Sequence, residues 1–226
     1  PEEIGHQLTN TEPVMLFIDP DFEKMAPGLS STSPSIKEIV TFGSPSGNFT
    51  PYNSLLRNQP GDAVSLSDDD PYVIIHTAAI QGKPRGAVIS HRNLIACNIQ
   101  TISVMGLTPR DSYLNILPVF HIFGLAACLT MMHAGGRNLV LSKFDPHMAV
   151  KMIDREKVSV IGEFPPILTL LLDAHRDGEF SLHPLKHVIG VDLPDTIKRF
   201  EGRGHGQFWL VYGQTETMGL TSMCSN

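Results

Sequence analysis

From Thr77 to Gly86 the chain reads TAAIQGKPRG, which gathers residue types that handle anions. Gly82, Gly86 and the Ala78-Ala79 pair let backbone N–H groups come close to a bulky ligand, and Lys83 and Arg85 add positive charge. An ordinary hairpin with solvated basic tips would use the same residues. Further candidates lie downstream. His121 stands at a helix start, where it can bond to backbone; Tyr212 ends an apolar run, as a core aromatic often does; Glu216 follows a glycine turn, where an acid complements a helix dipole.

Other chemistry is harder to build from these residues. Gly82-Lys83 invites a Walker reading, but that motif needs a glycine where Thr77 stands and a Ser or Thr where Pro84 stands. Gly202, Gly204 and Gly206 follow a helix and lack dinucleotide-fingerprint spacing. Pro45, between Gly43 and Gly47, sits where a nucleophile elbow needs serine. His183 and His187 are four apart, but Pro184 between them discourages a helical zinc pair. Asp68, Asp69 and Asp70 repel one another and lack the spaced oxygen ligands of a calcium loop, so they read as solvated.

Composition sets the frame for these residues. The 226-residue chain is 42% hydrophobic and 18% charged, which suits a globular protein with a full core in one or two domains. A net charge of -6 argues against a general nucleic-acid binder, though a small phosphate site can sit in an acidic protein. Cys97, Cys128 and Cys224 form no CxxC pair, which fits a reducing compartment. The apolar runs are shorter than the ~20 residues of a membrane span, and no leader pattern opens the chain. The expectation is a soluble, cytoplasmic protein, at most peripheral to a membrane.

Elements that could position the site follow from periodicity. A helix at Pro1-Glu2-Glu3-Ile4 precedes a strand at Val14–Ile18; Asp19–Ser35 reads as surface loop; Glu38–Phe42 reads as a strand. Gly43–Gly61 is loop, with one helical turn near Tyr52–Arg57. Strand Tyr72–Ile75, the glycine loop, strand Ala87–Ile89 and a helix from His91 to Met105 capped by Ser90 come next, with Ile95, Ile99 and Ile102 on one face. A joint is expected at Thr108-Pro109-Arg110-Asp111. Beyond it, strands at Tyr113–Leu117, Asn138–Leu141, Val158–Ile161, His187–Ile189 and Phe208–Tyr212 alternate with helices at Ile122–His133, Pro146–Lys157, Pro165–His175 and Pro194–Glu201. That rhythm predicts a largely parallel sheet. Asp145-Pro146 is a clear helix start.

Three segments in order, HTAAIQGKPRGAVISHRNL around the loop, LPVFHIFGL at Leu117–Leu125 and YGQTET at Tyr212–Thr217, resemble the adenylate-forming enzymes. The likeness is nearest to the fatty acyl-CoA synthetases and runs through nearly the whole chain. It implies two side-by-side α/β subdomains with largely parallel sheets flanked by helices, residues 1–108 with the phosphate loop and 109–226 ending in YGQTE, with ATP and an acyl group in the cleft between them. It assigns Thr77, Gln81, Gly82, Lys83 and Arg85 to the triphosphate, and Gly190, Val191 and Asp192 to a turn beside adenine. Tyr212, Gly213 and Gln214 would face the nucleotide, with Tyr212 against the base. Thr215 would bond the α-phosphate, Glu216 would hold Mg²⁺, and His121 would line the passage where carboxylate and thiol meet. The implied partners are a carboxylic acid, ATP and CoA, with no nucleic acid. The apolar helix Ile167–Leu172 and Val191 are expected to line the acyl pocket, and a homo-oligomer is compatible with all of this.

The loop departs from the family pattern Thr-Ser-Gly-Thr-Thr-Gly-x-Pro-Lys-Gly: Ala78, Ala79, Ile80 and Gln81 replace the Ser-Gly-Thr-Thr core, and Arg85 replaces lysine. Each unreplaced hydrogen bond to phosphate would cost about 1.5–3 kcal/mol, so either Gln81 and the cations compensate or ATP binds weakly. Two readings stay open: a central piece of an acyl-CoA synthetase that cannot complete adenylation alone, or a non-catalytic nucleotide or acyl binder with a degenerate loop.

Overall fold

The structure is a computed structural model of the 226-residue chain that describes residues 2–43, 47–57, 59, 61–77, 84–177, 180–204 and 206–225. It divides into two compact units, residues 1–66 with 76–86, and residues 67–75 with 87–226. In this division 87–108 groups with the later residues.

The first unit opens with α1 (Glu2–Thr11), followed by β1 (Met15–Ile18), β2 (Glu38–Thr41) and β3 (Thr50–Pro51) in a parallel sheet of that order. The stretch expected to be loop at Asp19–Ser35 is instead a 3-10 turn, Pro20–Met25, running into α2 (Ala26–Thr32). Its Pro, Ser and Gly content disguises a sound helix start: Asp19 caps the Asp21 amide at 3.0 Å, Pro20 pre-sets the first position, and Ala26 and Leu29 are buried. A one-turn helix, α3 (Tyr52–Leu55), stands where one turn was expected, and Phe17, Phe42 and Tyr52 cluster with centroids 5.0–6.4 Å apart.

In the second unit's stretch of chain, β4 (Pro71–His76) and β5 (Gly86–Ser90) form a two-stranded sheet, and α4 (His91–Met105) begins at the expected cap. The Ser90 hydroxyl accepts from the Asn93 amide at 3.2 Å, and Gly106 ends the helix in the left-handed region at φ 63. Its buried face corrects the sequence reading. Leu94, Cys97, Asn98, Thr101 and Met105 turn inward, whereas Ile95 and Ile99 are 46% and 54% exposed. Small and polar residues win this face because α5 (Ile122–His133) packs against it, with the Thr130 hydroxyl donating to Asn98 Oδ1 at 2.8 Å.

The main sheet has the order β11-β10-β9-β8-β6-β7, parallel except for the β10–β11 pair. Its strands are β6 (Ser112–Asn115), β7 (Arg137–Val140), β8 (Val160–Glu163), β9 (His187–Gly190), β10 (Gln207–Tyr212) and the unanticipated β11 (Ser222–Ser225). One face carries Leu114, Ile161, Val188 and Phe208 into a core closed by α6 (Pro146–Glu156), α7 (Ile167–Asp177) and α8 (Pro194–Glu201). The other carries Tyr113, Val160, Ile189 and Trp209 beneath α4 and α5. At the strand starts, buried Asp111 accepts from the Thr108 amide (2.9 Å) and hydroxyl (2.8 Å), the Ser159 hydroxyl (3.0 Å) and Lys186 Nζ (2.9 Å). One carboxylate thereby ties together the entries to β6, β8 and β9.

Candidate functional site

In an open parallel sheet, ligands settle outside the carboxyl ends of strands where the strand order reverses. Here the chain steps from β6 outward to β7, then returns to lay β8 on the other side of β6, so the reversal lies between β6 and β8. A cleft of about 280 Å³ opens there, lined by His121, Phe123, Phe164, Val191, Tyr212 and Thr215 among others.

His121 follows β6 and caps α5: its Nδ1 accepts from the Phe123 amide at 3.3 Å. With Nδ1 accepting, the neutral ring carries its proton on Nε2, which leaves a donor at the cleft. The ring meets Phe164, the residue after β8, edge-on with centroids 6.1 Å apart, and Phe123 meets Phe164 at 5.4 Å. The expectation of a backbone-bonded histidine at a helix start is thus met geometrically, but His121 is exposed rather than buried.

In the Tyr212–Thr217 motif, Tyr212 ends β10 and the rest opens the loop to β11. Tyr212 is 60% exposed, not a core aromatic, and its hydroxyl accepts from Gln214 Nε2 at 3.2 Å. Thr215–Thr217 forms a 3-10 turn; the Gln214 amide donates to the Thr217 hydroxyl at 3.2 Å, and the Gly219 amide closes on the Gln214 carbonyl at 2.9 Å. Gly213 has no room for a side chain, since a Cβ there would lie 1.2 Å from the Gly219 carbonyl oxygen. This closure presents Thr215 to the cleft and leaves Glu216 exposed in the first turn.

Gly190 ends β9, and Val191 and Asp192 follow it. Gly190 lies beside Glu163 in register, and a Cβ on it would come within 2.2 Å of the Glu163 carbonyl oxygen and 2.7 Å of Oε1. Val191 lines the cleft. Within Ile167–Leu172, Leu168, Leu171 and Leu172 are fully buried in the core beneath the sheet, whereas Leu170 is 39% exposed. Phe164 and Phe123 line the cleft wall.

Of the phosphate-loop candidates, Thr77 and Arg85 are described within the first unit, where the Thr77 amide donates to the Arg85 carbonyl at 2.9 Å. Gln81, Gly82 and Lys83 lie outside the described residues. Among the described residues no group of three His, Cys, Asp or Glu side chains could cage a metal, so a metal here would need ligands from elsewhere. Glu216, assigned to Mg²⁺ by the sequence reading, is exposed.

The sequence reading missed Glu163, which is 0% exposed and has no hydrogen-bond partner on either oxygen among the described residues. Burial, and then the charge of Asp192, raise its carboxyl to about 8 against the pull of the Leu168 amide. A lone acid in the apolar run VSVIGEFPP was the available signal.

The AMP-binding enzyme family model matches residues 1–226. The chain belongs to that family. Among solved structures it is similar to a Rhodopseudomonas palustris protein provisionally assigned as a long-chain-fatty-acid CoA ligase, at 35% identity and TM-score 0.92, over 99% of this chain and 56% of that one. It is 27% identical to an indoleacetate–CoA ligase of Aromatoleum aromaticum, over 93% of this chain and 42% of that protein. The fold alone is shared with an O-succinylbenzoate–CoA synthetase of Bacillus subtilis, solved with ATP and magnesium ion, at 20% identity and TM-score 0.79, covering 99% of this chain and 44% of that one. The chain therefore spans about half the length of the relatives it matches, and its mixed α/β fold with parallel sheets and flanking helices is that of acyl-CoA synthetase N-terminal domains. No helix among the described residues is long and apolar enough to cross a membrane.

Proposed function

We propose that the chain is the central part of an ATP-dependent acyl-CoA synthetase that activates a carboxylic acid, in our reading a fatty acid, as acyl-AMP and passes it to CoA. The observation that carries this is the cleft at the strand reversal, lined by Val191 after β9, Tyr212 ending β10 and Thr215 in the turn that follows. Gly190, Val191 and Asp192 would flank the adenine, and Tyr212 would lie against its face. Gly213 would allow the close turn, and Gln214 would hold the tyrosine hydroxyl. Thr215 would donate to the α-phosphate. Thr77, Gln81, Gly82, Lys83 and Arg85 are assigned to the β- and γ-phosphates.

In the first half-reaction an oxygen of the acid's carboxylate attacks the α-phosphorus, the bond to the bridging oxygen breaks, and pyrophosphate leaves. In the second the CoA sulfur attacks the acyl carbonyl and AMP leaves. The protein's part is placement and charge stabilisation: His121 Nε2–H can orient the carboxylate, and Thr215 can meet charge growing on the α-phosphate. When bound, Mg²⁺ held by Glu216 would neutralise charge on the departing pyrophosphate. The apolar wall of Phe123, Phe164 and Val191 suits an aliphatic chain.

The test is acyl-CoA formation by the whole protein from a panel of fatty, aromatic and amino acids. Turnover led by the fatty acids supports the reading. Pyrophosphate exchange dependent only on amino acids overturns it.

A further inference from the structure

Glu163 ends β8 on the sheet face that carries Ile161, facing α7 and α8, and is in register with Gly190 of the neighbouring strand. Among the described residues neither of its oxygens has a partner at full hydrogen-bond geometry, and nor does Oδ2 of Asp192, whose Oδ1 accepts from the Leu193 amide at 2.6 Å. Three unpartnered carboxyl oxygens therefore sit together at the carboxyl ends of β8 and β9, and the Asp192 charge acts on Glu163.

The surrounding elements supply no compensating cation among the described residues. Asp173 of α7 pairs with Arg199 of α8 at 2.5 Å, and α8 opens with a further acid, Asp195. Asp111, Lys186 and His187 lie at the opposite ends of the strands, and His121 faces Phe164, the next residue along. On α7 the Leu168 amide opposes the upward shift. A dry carboxylate without cation or full complement of donors is held in its neutral form.

Gly190 rests directly on this group, and Val191, one residue on, lines the cleft. We propose that Glu163 is a positioning residue for the nucleotide turn 190–192: protonated, it seats the turn, and ionised, it repels Asp192 and displaces Val191 from the cleft wall. The proposal rests on the nucleotide reading given above. Its working range is set by the raised carboxyl, about 8: the proton is held below that pH and lost as pH rises through it.

The test is AMP affinity, measured by calorimetry on the 226-residue chain from about pH 7, where the AMP phosphate is already doubly ionised, to about pH 9.5. The wild-type chain should lose affinity roughly ten-fold with a midpoint near 8, as expected of a modest coupling between two sites. Glu163→Gln should show no such fall. Asp192→Asn, which removes the repelling charge, should move the wild-type midpoint to lower pH, and this shift decides the matter if Glu163→Gln fails to fold. Flat affinity in the wild-type chain, or the same fall in Glu163→Gln, overturns the positioning role while leaving the nucleotide reading intact. Absence of AMP binding by every protein at every pH overturns the nucleotide reading and the positioning role with it.

Discussion

Glu216 and Gly213 show how differently two neighbours in one loop can matter. Glu216 is exposed, so Glu216→Gln should leave thermal stability unchanged and reduce affinity for ATP with Mg²⁺. A lost charged contact of about 1.5–3 kcal/mol corresponds to roughly ten- to hundred-fold, and the loss should vanish when Mg²⁺ is omitted. Gly213→Ala should do the reverse. A methyl group 1.2 Å from the Gly219 carbonyl oxygen forces the loop open, so both stability and nucleotide binding should fall, with a destabilisation of about 2 kcal/mol or more in urea unfolding. The sequence named both residues through the motif they share, yet it could not show that Gly213 is fixed by a backbone six residues away. Glu163 was missed for a related reason: a strand's apolar pattern indicates which face is buried, not that a carboxyl will be left there without a partner.

The strands and helices of the main sheet were readable because their apolar periods and caps agree. Asp145 accepts from the Met148 amide at 2.7 Å, as its position before Pro146 suggests, and α5 and α8 begin and end where their patterns do. Where text and fold diverge, tertiary packing decides. The first unit's 3-10 turn and α2 are written in loop residues, and α4 buries Asn98 and Thr101 in preference to Ile95 and Ile99. Short β11 is held by pairing with β10 rather than by its own composition. The entry network around Asp111 belongs to this level too. Burial alone would raise that carboxyl, but Lys186, Thr108 and Ser159 outweigh it and hold it at about 2. A carboxylate depressed on folding contributes stability above its unfolded value, and loses it as pH falls from about 4 to about 2. Asp111→Asn should therefore cost about 2 kcal/mol near neutral pH and nothing at the acid end of that window, as read by urea midpoints.

Two buried acids, Asp111 and Glu163, pull stability in opposite directions with pH. Asp111 favours folding once pH exceeds its unfolded value, whereas Glu163, raised to about 8, binds its proton more tightly when folded. Its contribution is therefore lost as pH rises from about 4.5 toward 8. Glu163→Gln should match the wild-type chain near pH 4, and exceed it by a few kcal/mol above about pH 8.5, in urea unfolding followed by Trp209 fluorescence. The same cleft that Glu163 underlies carries the functional assignment, so nucleotide binding is the point at which fold, motif and family meet. Calorimetry of ATP with Mg²⁺ against the 226-residue chain, with Glu216→Gln alongside, tests this most directly. The account predicts saturable binding that weakens when Mg²⁺ is withheld or Glu216 is replaced; no binding, or binding indifferent to both changes, would contradict it.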